Sequence, residues 1–251
     1  MQLELDGKTA LVTGASSVGL GRAIAIGLAR EGARIAITSR REALLEEAAA
    51  EIKAAGGSEP VVITGDLYDA QTPEKLAAAA RERLGRVDIL INAAGGSRPT
   101  TFDAPPALWE EAMTLNFFRL RTLTHAIVPG MVERRWGRVI NLTGTSEPYN
   151  INAANPSKAA VHAWSKGLSR EVAKNGVTVN CIQPGRISSE QMLRLYPTEE
   201  KRRAFTKDVP MERFGEPDEL AVLAIFLASP RASYITGTVI PVDGGLSRFA
   251  F

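Results

Sequence analysis

Leu11-Val12-Thr13-Gly14-Ala15-Ser16-Ser17-Val18-Gly19-Leu20-Gly21 is the stretch on which the fold turns. The apolar run Thr9-Ala10-Leu11-Val12 leads into it, and Arg22-Ala23-Ile24-Ala25-Ile26-Gly27-Leu28-Ala29 follows with apolar residues at helical spacing. A strand, a glycine turn and a helix start in that order make an anion site. The backbone N–H groups of the first helical turn point outward, and the helix dipole favours negative charge there. Gly14 lets the chain turn, Gly19 permits close backbone approach, and Gly21 lets helix and strand pack closely. Glycine turns alone serve any tight connection; the flanking strand and helix make this one a candidate dinucleotide site, with Ser16, Ser17 and Leu20 in its loop.

Outward from the turn, short apolar strands alternate with longer helical patterns. Strands are expected at 33–38, 60–64, 87–92, 138–142, 178–182 and 238–242. Helices are expected at 42–55, 73–84, 106–136, 156–174 and 217–227, and the polar stretch 183–215 carries no assigned element. Strands separated by helices pair in parallel, which gives an α/β fold: a doubly wound parallel sheet with helices on both faces. No Pro/Gly/Ser-rich linker or repeat divides residues 1–251, so a single domain is expected.

Composition narrows the function. Hydrophobic residues at 45% and charged residues at 23% are ordinary for a globular chain, and the net charge of +2 gives no nucleic-acid or membrane footprint. Cys181 is the single cysteine, which excludes an internal disulfide and suits a reducing compartment. The stretch Met1–Lys8 lacks the apolar core of a signal peptide, so a cytoplasmic location is expected. His125 and His162 have no cysteine or carboxylate at ligand spacing; they read as core or surface histidines, and no metal site is expected.

In doubly wound sheets, ligands bind outside the carboxyl ends of the strands. After the second strand stands Ser39-Arg40-Arg41 rather than an acidic residue. Arg40 would attract a 2′-phosphate, favouring NADP(H) over NAD(H) by about 10- to 150-fold for a contact of roughly 1.5–3 kcal/mol; the alternative is a solvated helix flank. Asp66-Leu67 follows the third strand, positioned to cap a loop or to accept from an adenine amino group. Asn92-Ala93-Ala94-Gly95 follows the fourth, where small side chains let the backbone lie beside a ribose.

These motifs, together with Asn116, Lys158, Pro184-Gly185 and the ending Tyr234-Ile235-Thr236-Gly237…Val242-Asp243-Gly244-Gly245, occur in order along essentially the whole chain and resemble the classical short-chain dehydrogenase/reductase family. The resemblance implies a Rossmann-type fold and hydride transfer between NADP(H) and a carbonyl or hydroxyl substrate. It implies that Asn116 holds a water feeding a proton relay, and that Lys158 binds the nicotinamide ribose. It places Pro184, Gly185 and Ile187 at the strand end that holds the carboxamide, with Ser189 where a threonine is usual. It also implies a homotetramer built on the helices from Pro106 and Pro156 and on the segment 235–251.

Three departures stand out. The glycine turn is one residue longer than the family's usual form, with Val18 as the insert. Ala154 stands four residues before Lys158, where the family has its catalytic tyrosine. Asn141-Leu142-Thr143-Gly144-Thr145-Ser146 stands where the family has its catalytic serine, with Gly144 in register with it. Hydride transfer leaves an oxyanion that needs a proton. The sequence offers Tyr149, helped by Thr145 or Ser146, as a displaced donor; the alternative for Tyr149 is a loop residue packed over the pocket. Two further readings stay open: an enoyl- or dienoyl-thioester reductase, and a redox-inactive nucleotide-binding relative. Residues 186–214 are expected to form a substrate lid. Its cations Arg186, Arg194, Lys201, Arg202, Arg203 and Lys207, with Arg98 nearby, would suit a carrier thioester or acidic substrate, or else form a solvated face with Glu199, Glu200 and Asp208.

Overall fold

The computed structural model describes residues 2–148 and 150–249, so Tyr149 lies outside the described residues. The strands β1 (Thr9–Thr13), β2 (Arg34–Ser39), β3 (Val61–Thr64), β4 (Ile89–Asn92), β5 (Gly137–Leu142), β6 (Val177–Pro184) and β7 (Val239–Val242) form one parallel sheet in the order β3-β2-β1-β4-β5-β6-β7. The helices are α1 (Leu20–Arg30), α2 (Glu42–Ala54), α3 (Thr72–Leu84), α4 (Pro106–Met113), α5 (Arg119–Glu133), α6 (Ala154–Val172), α7 (Glu190–Leu195), α8 (Glu199–Thr206) and α9 (Pro217–Ala228).

Strand alternation explains how one sheet holds two cores. Ala10, Val12, Ile35, Ile37, Ile89, Ile91 and Ile140 face α1, α2 and α9, whose Ile24, Leu28, Leu45, Ile52, Leu220 and Ala224 are buried against them. Leu11, Ala36, Leu90, Val139 and Val179 face the other way, toward Leu76, Ala80, Leu84, Leu123, Ile127 and Met131 of α3 and α5. Because both faces are covered, the central strands read as continuous apolar runs, which is why their positions are visible in the sequence. Strand order reverses at β1, which pairs with β2 on one side and β4 on the other. The crevice of the fold lies at that switch point.

Three expected elements differ. The single helix expected at 106–136 is α4 and α5 joined by a π turn, Thr114–Phe118. At its centre the Asn116 amide Nδ2 donates to the Ala112 carbonyl at 3.0 Å. The stretch 183–215 contains α7 and α8, capped by Ser189 and Thr198 side chains that accept from Met192 N and Lys201 N. Helix α6 starts at Ala154, two residues before Pro156, because a proline in the first turn needs no intrahelical acceptor.

Candidate active site

A cavity of about 370 Å³ opens over the carboxyl ends of β1, β2 and β4. Thr13, Gly14, Ser16, Ser17, Arg40, Asp66, Leu67, Ala93 and Gly95 are among the residues that line it. The turn between β1 and α1 is shaped by exclusion. Gly14 has φ +70°, and a Cβ there would lie 2.9 Å from the Ala94 backbone. A Cβ on Gly21 would lie 2.6 Å from the Gly14 carbonyl oxygen. Helix α1 has no side-chain cap and no acidic residue in its first turn. Its leading N–H groups have no acceptor within the helix, and that donor set fits a pyrophosphate.

Arg22 was not singled out from the sequence, yet it holds this turn. Its guanidinium donates to the Ser16 carbonyl, to the Leu44 carbonyl at 3.0 Å and to Glu51 at 3.1 Å. Its only sequence signal is its place beside Gly21. Arg40 stands at the mouth, 3.9 Å from Asp66 and with its guanidinium 5.3 Å from the centre of the Tyr68 ring. Arg41 forms a two-bond pair with Glu190 of α7, both bonds at 2.8 Å. That bond holds Glu190 well below the usual carboxylate range.

Other expected cofactor contacts act from behind. The Thr13 hydroxyl accepts from Ala93 N and Ala94 N, both at 3.0 Å, and so fixes the end of β4. The Asn92 side chain does not line the cavity: it is buried, donating to Asn141 at 2.8 Å and Thr124 at 3.0 Å. Ile187 is buried and bridged to Gly215, while Pro184, Gly185, Leu20 and Ser189 line a second cavity. Gly19 precedes them as the residue at the helix start, in extended backbone.

This second cavity, about 400 Å³, joins the first at Ala93, Gly95, Gly96 and Ser97. Beneath the junction, Asn116 Oδ1 accepts from Gly96 N at 3.0 Å, and Lys158 Nζ donates to the Thr143 carbonyl at 3.0 Å. A Cβ on Gly95 would lie 2.8 Å from Asn116 Oδ1 and 3.7 Å from Lys158 Nζ, so the three positions converge. Burial pushes the Lys158 ammonium down to about 8.

One turn along α6, His162 Nε2 is hydrogen-bonded to the Thr143 hydroxyl at 2.7 Å, and that hydroxyl also lies 3.2 Å from the Ile182 carbonyl oxygen. Burial first, then the Lys158 charge, lowers the His162 pKa. His162 is thus a partly buried histidine satisfied within the core, next to Lys158. The available signal was the four-residue step from Lys158, which puts both on one helix face.

Ala154 and Gly144 both line this cavity, as does Thr145. Ser146 does not: its hydroxyl donates to Gln183 Oε1 at 2.7 Å, away from the lining. Of the two readings of the basic stretch, the pairs to Asp208 and Glu199 fit the solvated face. Arg186 is buried over the Phe205 ring and 3.5 Å from Asp208. Arg202 and Arg203 pair with Glu199, and Arg98 with Glu111 and the Tyr68 hydroxyl. Met192, Leu195, Tyr196 and Phe205 line the second cavity together with Arg186 and Gln191, and Arg194 lines the first. Among the described residues, no cluster of His, Cys, Asp and Glu is arranged to hold a metal, and no helix is long and apolar enough to cross a membrane.

Known proteins share this arrangement end to end. The family model described as Enoyl-(Acyl carrier protein) reductase matches residues 14–247. Galactitol 2-dehydrogenase (L-tagatose-forming) from Cereibacter sphaeroides is 38% identical over 247 residues, covering 96% of this chain and 95% of that protein. The 3-oxoacyl-[acyl-carrier-protein] reductase FabG of Aquifex aeolicus is 34% identical over 250 residues, covering 98% and 100%. Among solved structures, L-sorbose reductase from Gluconobacter frateurii, complexed with NADPH and L-sorbose, superposes with a TM-score of 0.93, with 32% identity over 99% of this chain and 100% of that one.

Proposed function

The chain belongs to the short-chain dehydrogenase/reductase family of NAD(P)-dependent oxidoreductases, and from that membership we propose that it uses NADP(H) to interconvert a carbonyl and a hydroxyl on a small molecule. The observation that carries this reading is the junction of the two cavities over Lys158 and Asn116. A long polar trough ends there beside a less polar chamber, which suits a dinucleotide whose reactive end meets a substrate. NADPH, when bound, supplies the hydride.

The chain's own residues supply the rest. The first turn of α1 binds the pyrophosphate, and Arg40 with Ser16, Ser17 and Ser39 receives the 2′-phosphate. Gly95 and Gly96 lie along the ribose, and Lys158 orients it. Asn116 holds the Gly96 backbone and a relay water. Residues 186–214 close over the substrate, and Met192, Leu195, Tyr196 and Phe205 among them exclude water. Because Arg186, Arg202 and Arg203 engage Asp208 and Glu199 of this chain, a compact uncharged carbonyl compound is favoured over a carrier thioester. The related structure complexed with NADPH supports the cofactor choice.

Titration with NADPH and NADH, followed by nicotinamide absorbance over a panel of ketones, diketones and enoyl thioesters, tests the reading. Tighter NADPH binding with oxidation on a ketone is the expected result. Arg40→Asp should reverse the preference by about 10- to 150-fold. Oxidation on enoyl thioesters alone would favour the reductase reading suggested by the matching family model. Cofactor binding with no oxidation on any of them would favour a redox-inactive relative, which the Ala154 and Gly144 pair motivates. A cytoplasmic homotetramer completes the proposal; monomer alone in light scattering at micromolar concentration would overturn the assembly.

A further inference from the structure

The chamber beside the nicotinamide end has lost the two hydroxyls that its family places there. Ala154 and Gly144 flank Lys158 in their stead, and a Cβ on Gly144 would lie 2.9 Å from Lys158 Cδ. The lysine side chain therefore lies directly against the vacated serine position. No carboxylate stands among the described residues that line this cavity. Arg186, at the end of β6, lines the same cavity and lies 3.5 Å from Asp208, while His162 stands one turn along α6 behind Thr143, its pKa lowered by burial and by the Lys158 charge. His162 is committed to Thr143. Tyr196 lines the lid side, with its ring stacked on Phe205 at 4.0 Å.

We propose that Lys158 is itself the general acid, giving an Nζ proton directly to the oxygen of the substrate carbonyl. This rests on the oxidoreductase reading above. As hydride reaches the carbonyl carbon, the C=O π pair moves to oxygen, one Nζ–H bond breaks, and a new O–H bond forms. The products are the alcohol, oxidised cofactor and a neutral lysine amine, which takes its next proton from water. The Thr143 carbonyl, accepting one Nζ–H at 3.0 Å, fixes the ammonium while its other protons remain available. Burial without a counter-ion lowers its pKa to about 8, near the working range in which a general acid is most effective. In the reverse direction the neutral amine is the base.

Two measurements decide it. In lysine-labelled protein, NMR titration of the signal lost in Lys158→Met should show a midpoint near 8, whereas a midpoint at the ordinary 10.5 would overturn the proposal. On the most active ketone of the panel, reduction at saturating NADPH should fall as pH rises through about 8. Lys158→Arg keeps the charge but holds its protons far too tightly to donate near neutral pH; turnover should drop by about 100-fold or more, and the inflection should vanish. NADPH affinity of that variant, measured by titration, reports the loss of ribose contact, so that turnover at saturating NADPH isolates proton donation. Tyr149→Phe and Tyr196→Phe should retain both turnover and inflection. Collapse of either by at least about tenfold would transfer the role to that tyrosine and overturn the proposal. Cofactor binding without turnover of any carbonyl would instead remove the oxidoreductase reading, and this step with it, even where the NMR midpoint is near 8.

Discussion

Asn116 ties the wall of the cofactor trough to a turn of helix, since its two amide atoms bond Gly96 N and the Ala112 carbonyl. Asn116→Leu keeps the size but strands the Gly96 N–H, at a cost of about 1–3 kcal/mol. A lower midpoint in thermal unfolding and weaker NADPH binding should appear together. Lys158 has a separate influence on stability. Below about pH 8 both folded and unfolded chains carry its charge; between about 8 and the ordinary 10.5 only the unfolded chain does, so stability rises with pH there. Lys158→Met should therefore stabilise the fold at pH 7, by about 1 kcal/mol after allowance for water in the open cleft, and the gain should fade toward pH 10.5. Denaturant melts at the two pH values check it. Thr13, Gly14, Asp66 and Gly95 were legible because glycine and strand ends carry positional meaning. Arg22 and His162 were not, because their partners Ser16, Leu44, Glu51 and Thr143 become neighbours only after the chain folds.

Among the elements, α7 is the one tied across the trough. The Arg41–Glu190 pair joins it to the end of β2, and Ser189 caps it beside the second cavity. Both partners of that pair are roughly half exposed, so it contributes little to global stability. Glu190→Gln should leave the unfolding free energy within about 0.5 kcal/mol. It should speed NADPH release several-fold in stopped-flow displacement; an unchanged release rate would show that α7 does not close over the cofactor. Strand positions were readable because both faces are buried. The break between α4 and α5 was not, because a π turn inserts within an apolar pattern that still reads as continuous helix. The caps at Ser189 and Thr198 were readable in principle, each a hydroxyl residue directly before a glutamate-led turn.

At the scale of the molecule, both core layers share the same sheet, and Cys181 lies in β6, fully buried, with its thiol pushed up to about 11 by burial. A thiol reagent at pH 8 should label it no faster than the sheet opens, so labelling rates across denaturant should track unfolding; fast labelling in the native state would contradict that burial. The lengthened glycine turn has a consequence at this scale too. Its inserted residue, Val18, presents the carbonyl that accepts the Glu190 N–H at 3.0 Å. The phosphate loop and the lid are thus linked through one backbone bond, and any preference that one ligand has for the joined arrangement is felt by the other. Linkage makes the effect reciprocal: the factor by which bound nucleotide tightens substrate is the factor by which substrate tightens nucleotide. The two chambers then fill as a single equilibrium, with ordered arrival and departure as its kinetic signature.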